Sequence, residues 1–195
     1  MPEPRRADAR RNIERILAAA LELYGSRPGV SMSDVAKAAG VGRVTLYAHF
    51  PSRADLGAAV AERAVAETVA ALSGLGLDAL PADEAVAAML RGQWRIFERN
   101  EYLRGNIVAD VEPERLRAGH DPLMEYLTAL LARGRAEGVF RGDLPTGWLI
   151  TAFYHLVHAA ADEQRAGRLT PAEAVEALVA TVLSVLRNSA VGQRD

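Results

Sequence analysis

The sequence predicts an all-α protein of about nine helices, with a three-helix N-terminal unit built on a helix-turn-helix and a larger helical body behind it. Three observations predict this. Apolar residues recur at helical spacing in every long segment, which is the primary signature of helices packed by one face. Helix-start signals, S-x-x-D, T-P-x-E and D-P, stand before several of those segments and supply partners for the free N–H groups of a first turn. No stretch alternates polar and apolar residues as a half-buried strand does, and no repeat or low-complexity tract occurs. Half of the 195 residues are apolar, enough for one good core or two small ones.

In chain order, Met1 to Ala7 reads as an arm ahead of the first helix. Arg5 and Arg6, with Arg10 and Arg11 on the first turn, suit a phosphate backbone or a minor groove. The same charges equally suit a solvated terminus. The first helix follows from Ile13, Ile16, Leu17, Ala20, Leu21 and Tyr24, which share one face. Ser31 and Asp34 then have capping-box spacing, and Val35, Ala36 and Ala39 give the next helix its apolar side. Gly40 suits the left-handed residue that ends a helix. After Gly40-Val41-Gly42 comes a second short helix, Arg43 to Phe50, which Pro51 stops. Two short helices across a three- to four-residue glycine turn are what helix-turn-helix geometry requires.

On that second helix Leu46 and Phe50 share an anchoring face. Arg43, near its N-terminal end, has the donors for a guanine edge, and Val44 has methyls for a thymine methyl. Thr45, Tyr47 and His49 offer donors to phosphate oxygens, which fix register without reading sequence. By spacing alone an ordinary helical hairpin with a polar face remains open.

The segment as a whole resembles the DNA-binding domain of the TetR (tetracycline-repressor-like) family. The residues that carry the resemblance are Tyr24-Gly25, Ser31, Val35-Ala36, Ala39-Gly40-Val41, Thr45-Leu46-Tyr47, His49-Phe50 and Ser52-Arg53 with Leu56. Arg53 stands where the family usually has Lys, and either can hold phosphate. Gly42 and Arg43 fall at variable family positions, which leaves the operator sequence open. The match covers the first quarter to third of the chain. It implies a DNA-contacting set of Ser31, Ser33, Arg43, Val44, Thr45, Tyr47, His49 and Arg53. It also divides the chain into a helix-turn-helix domain, 1–53, and a helical effector-binding and dimerisation domain, 54–195.

In the body, Ser52 to about Ser73 reads as one long helix, with Leu56, Val60, Ala64 and Leu72 along one side. SGLGLDALPA, 73–82, is a connector. Asp83 suits a cap for a helix striped by Val86, Leu90, Trp94 and Phe97, and a shorter helix is expected over Glu101 to Asp110, broken at Glu112-Pro113. Asp121-Pro122 opens a helix to Gly138, and 138–147 reads as a loop. Two long helices close the chain, Trp148 to about Arg165 and Thr170 to about Leu186. Their broad apolar arcs call for cover from more than one side. In the TetR family the last two helices pair with their two-fold mates, so the resemblance implies a homodimer seam through Phe153, Leu156, Val157, Ala160, Val175, Leu178 and Val182.

Most of the body's aromatics sit at core-like spacings. With a few polar neighbours they also have the composition of an apolar pocket with polar anchors. The candidate effector set is Trp94, Phe97, Asn106, Tyr126, Trp148, Thr151 and His155, suited to a small apolar or aromatic molecule. His155, His158 and Asp162, with Glu163 adjacent, share a helix face. They suit a divalent ion, a pocket lining or a dimer seam, and no complete metal-ligand motif is present, so neither metal nor cofactor is expected.

Charge is uneven. Through Arg53 there are nine cations against five acids, a balance of +4, and the remainder carries −6 for a net −2. A basic head on an acidic body fits a polyanion-facing domain on one that is not. The chain has no cysteine, which excludes disulfides and thiolate metal sites and fits a reducing cytoplasm. No apolar run reaches membrane-span length, and no nucleophile–base motif or phosphate loop occurs. Two functions stay open. One is a dimeric repressor that a small molecule releases from a palindromic double-stranded operator; the other is a dimeric DNA-binding or interaction module without an effector.

Overall fold

The computed structural model describes residues 3–188, with the backbone alone at 3–6 and 117. Nine α-helices form among the described residues: α1 (Glu3–Ser26), α2 (Met32–Ala39), α3 (Arg43–His49), α4 (Arg53–Ser73), α5 (Ala82–Ile107), α6 (Pro113–Gly119), α7 (Asp121–Ala136), α8 (Thr146–Arg165) and α9 (Pro171–Leu186). A 3-10 turn, Leu77–Ala79, lies in the connector between α4 and α5. No strand forms among these residues; Phe140 and Arg187 make an isolated antiparallel bridge.

Three boundaries differ from expectation. The helix expected after an arm begins at Glu3, because Glu3 and Pro4 suit a first turn and nothing between them and the apolar stripe breaks it. Met1, Pro2 and the side chains of Arg5 and Arg6 lie outside the described residues. The two helices expected over 83–110 are one, α5. Glu98-Arg99-Asn100 holds no Pro or Gly, and Arg104 pairs with Glu101 one turn back. Glu112-Pro113 does break it, but Pro113 opens the short helix α6, a first-turn position that tolerates its missing N–H.

The chain forms two compact units. The first holds the chain through Glu67 together with Arg99–Asp121, and the second holds Thr68–Glu98 together with the chain from Pro122 onward. The compact units thus change within α4, after Glu67, and not at the start of that helix. The α4 and α5 helices each contribute residues to both units.

In the first unit Ile16, Ala20, Leu21 and Tyr24 of α1 pack with Val35, Ala36 and Ala39 of α2, Leu46 of α3, and Leu56, Val60 and Ala64 of α4. Leu103, Ile107 and Val111 close that core. The second core joins Val86, Leu90 and Trp94 of α5, Leu127, Leu130 and Leu131 of α7, Leu149, Phe153 and Val157 of α8, and Leu178, Val182 and Leu186 of α9. Phe140 seats its ring against α7 because Gly134 leaves the space that a Cβ would occupy.

Candidate DNA-binding surface

The surface is built on α2 and α3. Asp34 N–H donates to Ser31 Oγ at 3.2 Å, and Ser31 N–H donates to Asp34 Oδ2 at 2.9 Å, a complete capping box at the start of α2. The Ser31 backbone and hydroxyl donors hold the Asp34 carboxyl below its ordinary pKa. At the other end Gly40 takes φ +63°, Val41 N–H donates to Ala36 O at 3.0 Å, and Gly40 N–H donates to Lys37 O at 3.2 Å. That pair of bonds is a Schellman ending. Arg15 Nη2 of α1 donates to Gly40 O at 3.1 Å and fixes the turn from behind.

Leu46 is fully buried and Phe50 nearly so, which anchors α3 by one face. Burying a leucine of this kind is worth about 1.5–3 kcal/mol. The opposite face is left to solvent: Val44 is 86% exposed and Tyr47 47% exposed. Arg43 is exposed, while Thr45 and His49 are partly so, as is Ser33 on α2; Ser31 is exposed at its cap. Lys37 and Arg43 are both exposed, and among the described residues neither enters an ion pair. Lys37, the chain's one lysine, lies on the helix just ahead of α3 and belongs to no motif of the sequence.

Arg53 is committed elsewhere in the first unit. Its Nε donates to Asp110 Oδ2 at 2.6 Å, Nη2 to Asn106 O at 3.0 Å, and Nη1 to Val30 O, while the guanidinium lies over the Tyr24 ring at 5.4 Å. These contacts tie the start of α4 to Val30 and to the 106–110 segment of the same unit. Asn106, expected in an effector pocket, is 5% exposed in this same unit. Its Nδ2 donates to the carbonyls of Tyr24, Arg27 and Tyr102 at 2.7–3.2 Å, so it satisfies the end of α1. Burial pushes the Tyr24 phenol pKa up, against the pull of Arg53.

In the second unit the expected pocket residues do not converge. Trp94 is buried and donates Nε1–H to Gln164 Oε1 at 2.8 Å, and Gln164 donates on to Glu98. Phe97 and Tyr126 are partly buried against the core. Trp148 is 61% exposed, and Thr151 and His155 are exposed with it. The phase of α8 explains this: Leu149, Ile150 and Phe153 turn inward, so 148, 151 and 155 turn outward. An apolar void of about 10 Å³ lies among Val86, Leu127, Leu130, Leu131, Leu149, Ile150, Phe153 and Leu186. It is the size of about one water molecule.

The residues expected at a seam divide between the core and its edge. Phe153, Val157, Leu178 and Val182 are buried in the unit's own core, with Leu156, Ala160 and Val175 packed against it. Among the residues that α8 and α9 leave exposed are Thr151, His155 and Ala159 on one and Ala177, Ala180, Thr181 and Ser184 on the other. On α8, Tyr154 stands edge-on to both His155 and His158, while Asp162 pairs with Arg165 and Glu163 with Arg168. Among the described residues no group of three or more His, Asp or Glu is placed to hold a metal ion.

A capped α2, a Schellman turn and a short helix anchored by one apolar face with the other bare define a helix-turn-helix DNA-binding protein. The model for bacterial regulatory proteins of the tetR family matches residues 16–60. The chain is 30% identical over 154 residues to the transcriptional repressor LfrR of Mycolicibacterium smegmatis, covering 78% of each chain. It is 24% identical over 166 residues to the transcriptional regulator NfxB of Pseudomonas aeruginosa, covering 85% of this chain and 89% of that one. The crystal structure of LfrR from Mycobacterium smegmatis in complex with proflavine superposes with a TM-score of 0.68 at 27% identity, over 92% of this chain and 98% of that one. The chain belongs to the TetR family of transcriptional regulators, which act by binding DNA and are not enzymes.

Proposed function

We propose that the chain is a homodimeric cytoplasmic repressor, that it binds a two-fold symmetric operator through α3, and that a small apolar or aromatic molecule releases it. The observation that carries the DNA reading is the solvent face of α3, where an 86% exposed valine and a half-exposed tyrosine stand opposite the buried Leu46. Arg43 and Val44 meet base edges in this reading, and Ser31, Ser33, Thr45, Tyr47 and His49, joined by Lys37, meet phosphates. Arg53 is left out of the set because three of its five N–H donors are engaged within its own unit.

Dimerisation is supported by the exposed uncharged stripes of α8 and α9. Ala177, Ala180, Thr181 and Ser184 are small enough for close helix approach, and a single short helix-turn-helix gains specificity by reading two half-sites one helical turn or a multiple apart. The cytoplasmic reading rests on the absence of cysteine and on the DNA target. Among the described residues no helix is long and apolar enough to cross a membrane.

Release by an apolar or aromatic effector is supported by the relative LfrR, a repressor crystallised with proflavine. The second reading is a regulator without an effector. One void in the second unit holds about one water and is lined by apolar side chains only, so an effector seated there has to open the core. Selection of bound duplexes from a random pool tests the DNA reading, and the symmetry of the recovered motif tests the dimer. An asymmetric or absent motif contradicts the proposal.

A further inference from the structure

We propose that Val44 reads a methyl group on C5 of a pyrimidine in the major groove, so that each operator half-site has one position where the methyl itself, apart from the base's hydrogen-bonding edge, sets affinity. This rests on the DNA-binding reading above and adds the chemistry of one contact. Val44 is the most exposed large apolar side chain of the described residues, at 86%, on a helix whose Leu46 is fully buried. Nothing on its flanks covers it. A Cβ placed on Gly42 would meet only Thr45 Oγ1, at 3.9 Å, and Ala48, one turn on, is exposed and short.

The exposed isopropyl group therefore stands clear beside Arg43 and Tyr47, with no hydrogen-bonding atom of its own. In a major groove the one apolar feature a base edge presents is the C5-methyl of thymine. 5-Methylcytosine carries the same methyl at the same carbon, so the contact distinguishes methylated from unmethylated pyrimidine rather than thymine from every other base. Desolvating one methyl against Val44 is worth about four-fold in affinity per half-site, and about fifteen-fold when both half-sites change.

The test uses the full-length protein and the duplex recovered from the random pool. Each thymine is replaced in turn by deoxyuridine, which removes only the C5-methyl, and affinity is measured by fluorescence anisotropy at fixed salt. One position per half-site is expected to lose about four-fold. At that position a duplex with 5-methylcytosine is expected to bind tighter than one with cytosine by a similar factor. Val44→Ala, at an exposed site and checked for unchanged helix content by circular dichroism, is expected to abolish both differences. Wild-type protein indifferent to deoxyuridine at every thymine, or Val44→Ala protein that keeps the full sensitivity, overturns the assignment while leaving operator binding intact. Failure to recover any specific duplex overturns the DNA-binding reading, and this contact with it.

Discussion

Gly40 meets two independent demands at one position. Its φ of +63° lies where an L side chain is strained, and a Cβ there would stand 2.6 Å from Arg15 Nη2. The guanidinium is the far end of a flexible chain and can swing away, at the loss of its bond to Gly40 O. The left-handed backbone has no such escape. Gly40→Ala is therefore expected to cost about 1–2 kcal/mol in urea unfolding, with most of the loss persisting in an Arg15→Ala background. Arg43→Ala should leave stability alone, cost about 1–3 kcal/mol in operator affinity, and relax preference at one base position per half-site. Identical base preferences for variant and wild type would remove Arg43 from direct readout. Arg53 makes the opposite case. Arg53→Ala is expected to lower stability by about 1–3 kcal/mol yet leave the slope of log affinity against log salt unchanged, whereas loss of a phosphate contact would reduce that slope by about one. Sequence alone does not reveal this role. Asn106 bonds partners 76 to 82 residues away, and Arg53 reaches Asp110 across 57. No local pattern records such distances, while Gly40 is legible because its backbone demand, the left-handed turn, lies within one turn.

At the scale of elements the same division holds. The boxes Ser31/Asp34 and Thr170/Glu173 form as their spacing implies, because a cap is closed by residues three apart. The inward and outward phases of α8 and α9 are not legible, since apolar residues spread beyond the core-facing side of each, as at Leu156, Ala160, Val175 and Val185, and only packing chooses between them. That choice carries a prediction. Val182 is 1% exposed in its own core, so Val182→Arg should unfold the second unit rather than simply separate the protomers of a dimer. Ala180→Arg, on the exposed stripe, should instead give monomers in sedimentation with helix content kept. A dimer unaffected by Ala180→Arg would move the seam off α9. The capping box of α2 predicts a pH dependence as well. The Asp34 carboxyl is held below its ordinary pKa in the folded chain, by the Ser31 backbone N–H first and the Ser31 hydroxyl second. A group depressed on folding contributes stability above its unfolded pKa, and that contribution is lost as pH falls through the folded value. Wild type should therefore lose melting temperature between about pH 5 and pH 3 more steeply than Asp34→Asn, which has no carboxylate to protonate. Equal slopes would show the box contributing nothing.

For the whole molecule, the proposed release by an effector has to act through the continuity of the chain. The α4 helix starts in the first unit and ends in the second, and α5 runs the other way. A ligand held in the second unit therefore binds residues covalently continuous with the unit that carries α3. Continuity alone moves nothing: the ligand must bind the non-operator arrangement more tightly than the operator-bound one. A coupling of about 1–3 kcal/mol gives roughly a 5- to 150-fold loss of DNA affinity, and operator must then weaken ligand binding by the same factor. The second unit's void of about 10 Å³ adds a constraint. Ligand pockets run to several hundred Å³, so an effector entering among Leu127, Leu149 and Phe153 has to open this core and bears that cost in its affinity. Phe153→Ala makes the room in advance. It should cost about 3–5 kcal/mol of stability and at the same time tighten binding of any compound that seats there. The measurement is a thermal-shift screen of apolar and aromatic compounds on wild type and Phe153→Ala, followed by operator titrations with each hit. Hits that stabilise the variant more than wild type and lower operator affinity would place the switch in this core. Hits that stabilise the protein but leave operator affinity unchanged would describe a pocket without a switch, and favour a regulator whose body only dimerises.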